Sequence, residues 1–198
     1  MKIIGLDFDN TLTNYDNLFY KTAIDLNLVP STIKVSKVAI RDYLVSINKE
    51  EDFTLLQGEV YGLRIADADQ PQGMYSALME LKMRGYKLKI VSHKTKYPIK
   101  GKKYDLHKAA LQWLIKNKFL NKNGLNFKKE DIFFELNKNA KIERIYKENC
   151  DIYIDDLPEI LNLINPKIER ILYKPKEDSK KYAFKTMHSW FDLVKILN

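Results

Sequence analysis

The chain has little or nothing of several features that mark whole classes of protein. It contains a single cysteine, Cys150, which excludes an internal disulfide framework. No segment reaches the roughly 18 apolar residues that a membrane-spanning helix requires. The amino terminus passes from one lysine into a strand-length apolar run and has no small-residue cleavage site, so no signal peptide is indicated. These absences predict a cytoplasmic protein that does not interact with a membrane.

Length and composition suit one folded domain, with room for a small insertion. The 198 residues are 45% hydrophobic and 30% charged, so a substantial core is expected and disorder is not. Lysine and arginine number 34 against 26 acidic residues, which gives a net charge of +8. Such a balance can indicate nucleic acid or an anionic substrate, but here the lysines are scattered among acids, as on ordinary solvated faces.

The chain alternates between strand-like and helix-like segments and has no internal repeat. Apolar runs predict five strands, at residues 2–8, 87–92, 132–134, 152–154 and 170–173. Later helices are predicted at residues 73–85, 104–119, 138–148, 158–163 and 189–197. Repeated strand–helix units with apolar strands imply an α/β fold, in which helices cover both faces of a parallel sheet.

The alternation is interrupted once, directly after the first strand. Residues 14–72 separate this strand from the next unit and contain helix-like segments at 17–26, 36–47 and 53–66. An insertion of this size beside a strand end is well placed to cover a site there. We therefore predict a core formed by residues 1–13 and 73–198, with residues 14–72 inserted as a small helical cap.

Polar residues stand at the carboxyl ends of three predicted strands. Asp7 and Asp9 follow the first strand, Ser92 ends the second, and Asp155 and Asp156 end the fourth. Unpaired charge is costly to bury, so acids in these places indicate a metal site or a reacting group. Because ligands of open α/β sheets bind beyond the carboxyl ends of the strands, the sequence predicts a site at this edge.

A lysine at the start of the helix before the fourth strand completes this set. Either Lys138 or Lys141 could reach the edge of the sheet. Lys141 is preferred, since it continues directly into the helix-like segment at 142–145. A lysine in the first turn of a helix opposes the helix dipole, which hints at functional use. A carboxylate nucleophile, Mg²⁺, a hydroxyl and an ammonium are the groups that phosphoryl transfer through an aspartyl-phosphate requires.

These residues, in this order, resemble the motifs of the haloacid dehalogenase superfamily, in its phosphatase branch. The matching motifs are Asp7-x-Asp9-x-Thr11, a strand ending in Ser92, a helix lysine and Asp155-Asp156. The resemblance covers nearly the whole chain and implies a Rossmann-like sheet. It also implies Mg²⁺ as the cofactor and makes the inserted segment similar to the helical cap of the family.

The resemblance further implies a role for each motif residue. Asp7 would attack phosphorus, and Asp9 would protonate the leaving oxygen and then help to activate water. Ser92 would hold phosphoryl oxygens, and Lys141 would balance their charge. The implied metal ligands are Asp7, Asp9 through its carbonyl, Asp155 and Asp156, the last two being alternatives for the direct contact. The candidate substrate-binding residues are Thr11, Ser92, His93 and Lys94.

The function predicted from the sequence is Mg²⁺-dependent hydrolysis of a small phosphate monoester. A nucleotide and a sugar phosphate are both candidates for this metabolite, and the protein is expected to be a monomer or a homodimer. One alternative is a phosphatase that acts on nucleic-acid ends, which only the positive net charge supports. The other alternative is a binding module that keeps the same fold without turnover.

Overall fold

A computed structural model describes residues 1–176 and 180–197. Its six strands are β1 (Ile3–Leu6), β2 (Lys87–His93), β3 (Ile132–Glu135), β4 (Ile152–Asp155), β5 (Glu169–Tyr173) and β6 (Lys185–Met187). They form one sheet in the order β3-β2-β1-β4-β5-β6, and every pairing is parallel. Helices lie on both sides of this sheet, so the predicted α/β class is confirmed.

The predicted number of strands is wrong by one, because the sequence analysis missed β6. This strand has three residues and pairs with β5, with Ile171 opposite Lys185 and Tyr173 opposite Met187. Only Met187 of the three is buried, so the segment shows no apolar run that could predict a strand. Strand formation here is decided by pairing with a neighbour rather than by local pattern.

Eight α-helices connect and flank the strands in the described part of the chain. They are α1 (Asp16–Asp25), α2 (Lys37–Ser46), α3 (Glu50–Gly58), α4 (Met74–Met83), α5 (Leu106–Lys116), α6 (Lys138–Lys147), α7 (Pro158–Leu163) and α8 (Trp190–Ile196). A π-helical turn (Glu59–Leu63) and 3₁₀ turns (Ile65–Asp67 and Lys129–Asp131) complete the helical segments. None of these helices combines the length and hydrophobicity that crossing a bilayer requires.

The chain forms two compact units. The first contains residues 1–13, 70–94 and 118–198, and the second contains residues 14–69 and 95–117. The second unit therefore includes the predicted insertion up to residue 69, together with a segment that the sequence analysis assigned to the core. The role of this unit as a cap stays a prediction.

Contacts inside the second unit explain why residues 95–117 belong to it. The Tyr104 hydroxyl donates to Glu59 Oε1 at 2.8 Å, and the Trp113 indole N–H donates to the Ala68 carbonyl at 2.9 Å. Gly62 packs directly on the Tyr104 ring, where a Cβ would come within 2.6 Å. These partners are far apart in sequence, so local periodicity cannot reveal the grouping.

In the first unit, β1 and β4 are the central and most deeply buried strands. Leu6 and Ile154 are both fully buried. From β1 the sheet continues through β2 to β3 on one side, and from β4 it continues through β5 to β6 on the other. The strand order thus reverses between β1 and β4, which is where ligands of such sheets bind.

Candidate functional site

The predicted polar residues of the first unit meet at the carboxyl ends of β1, β2 and β4. Asp7 directly follows β1, and its backbone N–H donates to the Ile154 carbonyl of β4 at 2.9 Å. Ser92 lies in β2 and Asp155 ends β4. Because β1 is hydrogen-bonded between β2 and β4, the three side chains project into one crevice.

The Asp7 carboxylate is the centre of this crevice and is 4% exposed. Its Oδ1 atom accepts hydrogen bonds from Ser92 Oγ at 2.8 Å and from Lys141 Nζ at 2.6 Å. Its Oδ2 atom has a longer contact with Thr11 Oγ1, at 3.5 Å. Donors to a charged carboxylate are among the stronger hydrogen bonds in proteins, so the orientation of Asp7 is fixed.

Helix α6 carries Lys141, whose ammonium lies in the crevice. Asn137 caps this helix by accepting from Ala140 N–H at 2.9 Å, and Lys141 follows one turn later. Lys141 Nζ also donates to Asp155 Oδ2 at 2.6 Å. By contrast, Lys138 forms an exposed ion pair with Glu159 at 3.0 Å. Of the two lysines considered, the structure thus brings Lys141 to the carboxylates.

Lys141, which is 2% exposed, is the ammonium that pairs with the carboxylates of this crevice. Burial alone would lower the pKa of this ammonium, but the charges of Asp7 and Asp155 outweigh burial and raise it. Burial and the nearby Asp7 charge raise the pKa of Asp155 despite Lys141. The same two causes raise the pKa of Asp156. The site thus holds more negative charge than one ammonium neutralises.

The three acids of this crevice are suited to binding a hard divalent cation. Asp7, Asp155 and Asp156 each offer a carboxylate oxygen, and the three oxygens lie within 4.8 Å of one another. Carboxylate oxygen is the donor that Mg²⁺ prefers, and a bound cation would offset the charge of Asp7, which after burial is the next cause of the raised pKa values of Asp155 and Asp156. The donor set therefore fits Mg²⁺, and both Asp155 and Asp156 remain candidates for direct contact.

Asp9, the second acid of the Asp7-x-Asp9 motif, lies in a tight turn after β1. Asn10 has a φ of 57°, a left-handed conformation that asparagine tolerates better than most residues. The Thr13 hydroxyl and backbone N–H both donate to the Phe8 carbonyl, at 3.0 and 3.2 Å. Asp9 lies at the outer side of this turn with its side chain 25% exposed.

The Asp9 carboxylate is paired with Lys94. Lys94 Nζ donates to both oxygens of Asp9, at 2.9 and 2.8 Å. Lys94 was predicted to bind substrate, and that role stays a prediction; the structure places its ammonium against the Asp9 carboxylate. His93, the other substrate-binding candidate of this segment, is half-buried. Its pKa is lowered, first by burial and then by the charge of Lys141.

The sequence analysis missed Tyr153, which supports the site from the core. The Tyr153 hydroxyl donates to the Val91 carbonyl at 2.5 Å, and Lys141 Nζ lies 5.6 Å from the centre of its ring. Gly5 of β1 makes room for this ring, since a Cβ there would lie 2.7 Å from Tyr153 Cδ2. A buried tyrosine needs a hydrogen-bond partner for its hydroxyl. A tyrosine in the predicted buried strand 152–154 was therefore a signal in the sequence for such a contact.

The fold is supported by similarity to solved structures and not by similarity to known sequences. Neither a scan against protein-family models nor a search of curated proteins finds a match. Among solved structures, a phosphoserine phosphohydrolase-like protein from Francisella tularensis subsp. tularensis is 16% identical with a TM-score of 0.56, and the match covers 100% of both chains.

Two further matches show the same architecture. A HAD-superfamily hydrolase (subfamily IA, variant 1) from Geobacter sulfurreducens is 12% identical with a TM-score of 0.57, covering 100% of this chain and 97% of its own. A structure described only as a dehalogenase is 13% identical with a TM-score of 0.57, covering 99% and 96%. The chain therefore has the Rossmann-like fold of haloacid dehalogenase-superfamily hydrolases, as its motifs predict.

Proposed function

We propose that the protein is a Mg²⁺-dependent phosphohydrolase that cleaves a small phosphate monoester through an aspartyl-phosphate. One observation carries this proposal. The buried Asp7 carboxylate is held by the Ser92 hydroxyl and the Lys141 ammonium, beside two further carboxylates that suit a cation. A nucleophile, a hydroxyl donor, an ammonium and a metal site are the parts that this chemistry needs.

Asp7 is the nucleophile in the proposed reaction. One of its carboxylate oxygens forms a bond to phosphorus while the bond from phosphorus to the leaving oxygen breaks. Asp9 donates a proton to that leaving oxygen, so the product departs as an alcohol. Asp9 then accepts a proton from water, which attacks phosphorus and releases Asp7 and inorganic phosphate. General acid–base assistance of this kind contributes about 10²–10⁴-fold to rates.

The other residues bind the phosphoryl group and offset its negative charge. Ser92, Thr11 and His93 are the proposed contacts of the phosphoryl group, and Lys141 offsets the negative charge that gathers there. Mg²⁺ would be held by Asp7 and the Asp155-Asp156 pair, with the Asp9 carbonyl as a further proposed ligand. When bound, it supplies Lewis-acid stabilisation of the phosphoryl oxygens.

The proposed substrates are small phosphorylated metabolites, with nucleotides and sugar phosphates as the first candidates. Among the compared structures, one is named as phosphoserine phosphohydrolase-like and another as a dehalogenase. The phosphatase is favoured because a dehalogenase would leave both Asp9 and the cluster of three carboxylates without a use.

The direct test is phosphate release from a panel of nucleotides, sugar phosphates and an aryl phosphate, with Mg²⁺ and with a chelator. We expect release that requires Mg²⁺. Halide release from a 2-haloacid, without phosphate release, would contradict the proposal in favour of a dehalogenase. A 5′-phosphorylated oligonucleotide in the same panel tests the nucleic-acid alternative, which a steep salt dependence would support. Binding without any turnover would favour the binding module.

Asp9→Asn should lower kcat about 10²-fold or more, the usual scale for loss of a general acid. Asparagine keeps the shape of the side chain and can still accept from Lys94, so the fold should be unchanged. The loss should be smallest for aryl phosphates, whose leaving groups need little protonation. An equal loss for alkyl and aryl phosphates would contradict the role of Asp9 as the acid.

Asp155→Asn should raise the Mg²⁺ concentration that half-maximal activity requires, by about tenfold or more. Asp155 is one of the three clustered carboxylates, and removing one negative ligand weakens a site for a hard cation. The measurement is phosphate release as a function of Mg²⁺. Asp156→Asn in the same titration shows which of the two acids contacts the metal, since the direct ligand should give the larger shift.

A further inference from the structure

The side chain of Lys94 is buried although it carries a charge. Lys94 follows β2, and its backbone N–H donates to the Glu135 carbonyl at 2.8 Å, which extends the pairing of β2 with β3 by one residue. Its side chain is only 3% exposed. Burying an ammonium is costly unless it is paired, so the conformation of Lys94 depends on its partner.

That partner is Asp9, and the contact is bidentate. Lys94 Nζ lies 2.9 Å from Oδ1 and 2.8 Å from Oδ2 of Asp9, and 5.5 Å from the centre of the Phe8 ring. Asp9 is the more exposed partner, at 25%. An aspartate on a turn at this exposure could adopt several side-chain rotamers. Two hydrogen bonds from a fixed ammonium restrict it to one.

We propose that Lys94 is a positioning residue that aims the Asp9 carboxylate for proton transfer, an inference that rests on the proposed phosphohydrolase function. Proton transfer requires the acid to stand within hydrogen-bond reach of the leaving oxygen. Misplacing a catalytic group by about 1 Å can cost about 10²-fold in rate. Lys94 therefore acts through Asp9, rather than by binding the substrate as the sequence predicted.

The same strand supplies a matched control. Lys89 of β2 is also largely buried, with its side chain 11% exposed, and it is also paired with an acid, Glu148 of the turn after α6. Lys89 is not among the residues that contact the clustered carboxylates. A methionine at either position keeps the long aliphatic stem and removes the charge, so the two variants differ in whether the hydrogen bonds from Lys94 to Asp9 are lost.

The experiment is a double-mutant cycle of Lys94→Met and Asp9→Asn, with kcat and KM measured on the best phosphate monoester of the panel. We expect Lys94→Met to lower kcat by about 10–10²-fold and to change KM by less than about threefold. Lys94→Arg keeps the charge and the donors, so it should retain much more of the wild-type kcat than Lys94→Met does. In the Asp9→Asn background, Lys94→Met should cost less than about threefold, because residues that act as a unit are not additive.

Several outcomes would overturn this role. A rise in KM with kcat unchanged would show that Lys94 binds substrate directly. An unchanged Lys94→Met effect in the Asp9→Asn background would show that Lys94 acts independently of Asp9. A similar loss of kcat in Lys89→Met, with similar melting temperatures, would show a general effect of removing a buried lysine. Absence of turnover in the wild type would instead overturn the proposed function itself, and this role with it.

Discussion

Asp7→Asn should abolish phosphate release, with a loss of at least about 10⁴-fold in kcat, the scale seen when a covalent nucleophile is removed. The amide is nearly the same size as the carboxylate but cannot form the aspartyl-phosphate. Its oxygen can still accept from Ser92 and Lys141, which now donate to Asp7 Oδ1. Phosphate release is measured with saturating Mg²⁺, on the best compound of the panel.

Stability measurements separate loss of chemistry from loss of fold in this variant. The melting temperature in chelator should be close to that of the wild type, because one of several repelling carboxylates has been neutralised. The increase in melting temperature on adding Mg²⁺ should become smaller, since a ligand that binds only the folded state stabilises it.

Asp151→Asn is the matched control for Asp7→Asn. Asp151 accepts from Ile3 N–H at 2.7 Å, so it also joins β1 to the start of β4, but at the opposite end of the strands. This control should keep wild-type turnover. Turnover in Asp7→Asn near the wild-type rate would remove Asp7 as the nucleophile.

Lys141→Met should lower the free energy of unfolding by about 3–5 kcal/mol in chelator, the scale for removing one partner of a buried ion pair. Lys141 is the ammonium that donates to both Asp7 and Asp155, so its loss leaves clustered carboxylates uncompensated. Mg²⁺ should recover part of this stability by supplying positive charge at the same place. Phosphate release should also fall by about 10²-fold or more, since Lys141 is expected to offset phosphoryl charge.

The measurement for Lys141→Met is denaturant unfolding in chelator and in Mg²⁺. Lys138→Met on the same helix is the control, because its ion pair with Glu159 is exposed and such pairs contribute about 1 kcal/mol or less. Equal stability of Lys141→Met and wild type in chelator would contradict the argument that the carboxylates need this ammonium.

The sequence predicted which residues form the site better than it predicted which side chains they contact. Asp7, Ser92 and Asp155 were assigned to one edge because parallel strands of a sheet end together, and the structure brings their side chains together there. Their catalytic roles stay predictions. The α/β class was predictable because short apolar runs, such as residues 3–6 and 152–154, alternate with helix-like segments along the chain.

Features decided by tertiary contact were not predictable. The β6 strand has one buried residue and depends on β5 for its existence. Residues 95–117 join the second unit through Tyr104 and Trp113, whose partners are distant in sequence. Lys94 was predicted only as a substrate-binding candidate, because its bidentate contact with Asp9 depends on the end of β2 lying beside the turn after β1.

Gly5 limits how far this chain can vary in evolution. It lies two residues before Asp7, and a Cβ at this position would lie 2.7 Å from the Tyr153 ring and 2.8 Å from Cys150 Sγ. Displacing that ring would disturb the surface on which the Lys141 ammonium rests, 5.6 Å from the ring centre. Any larger residue at position 5 would therefore need a smaller one at 153 or 150. Homologues should change these three positions together.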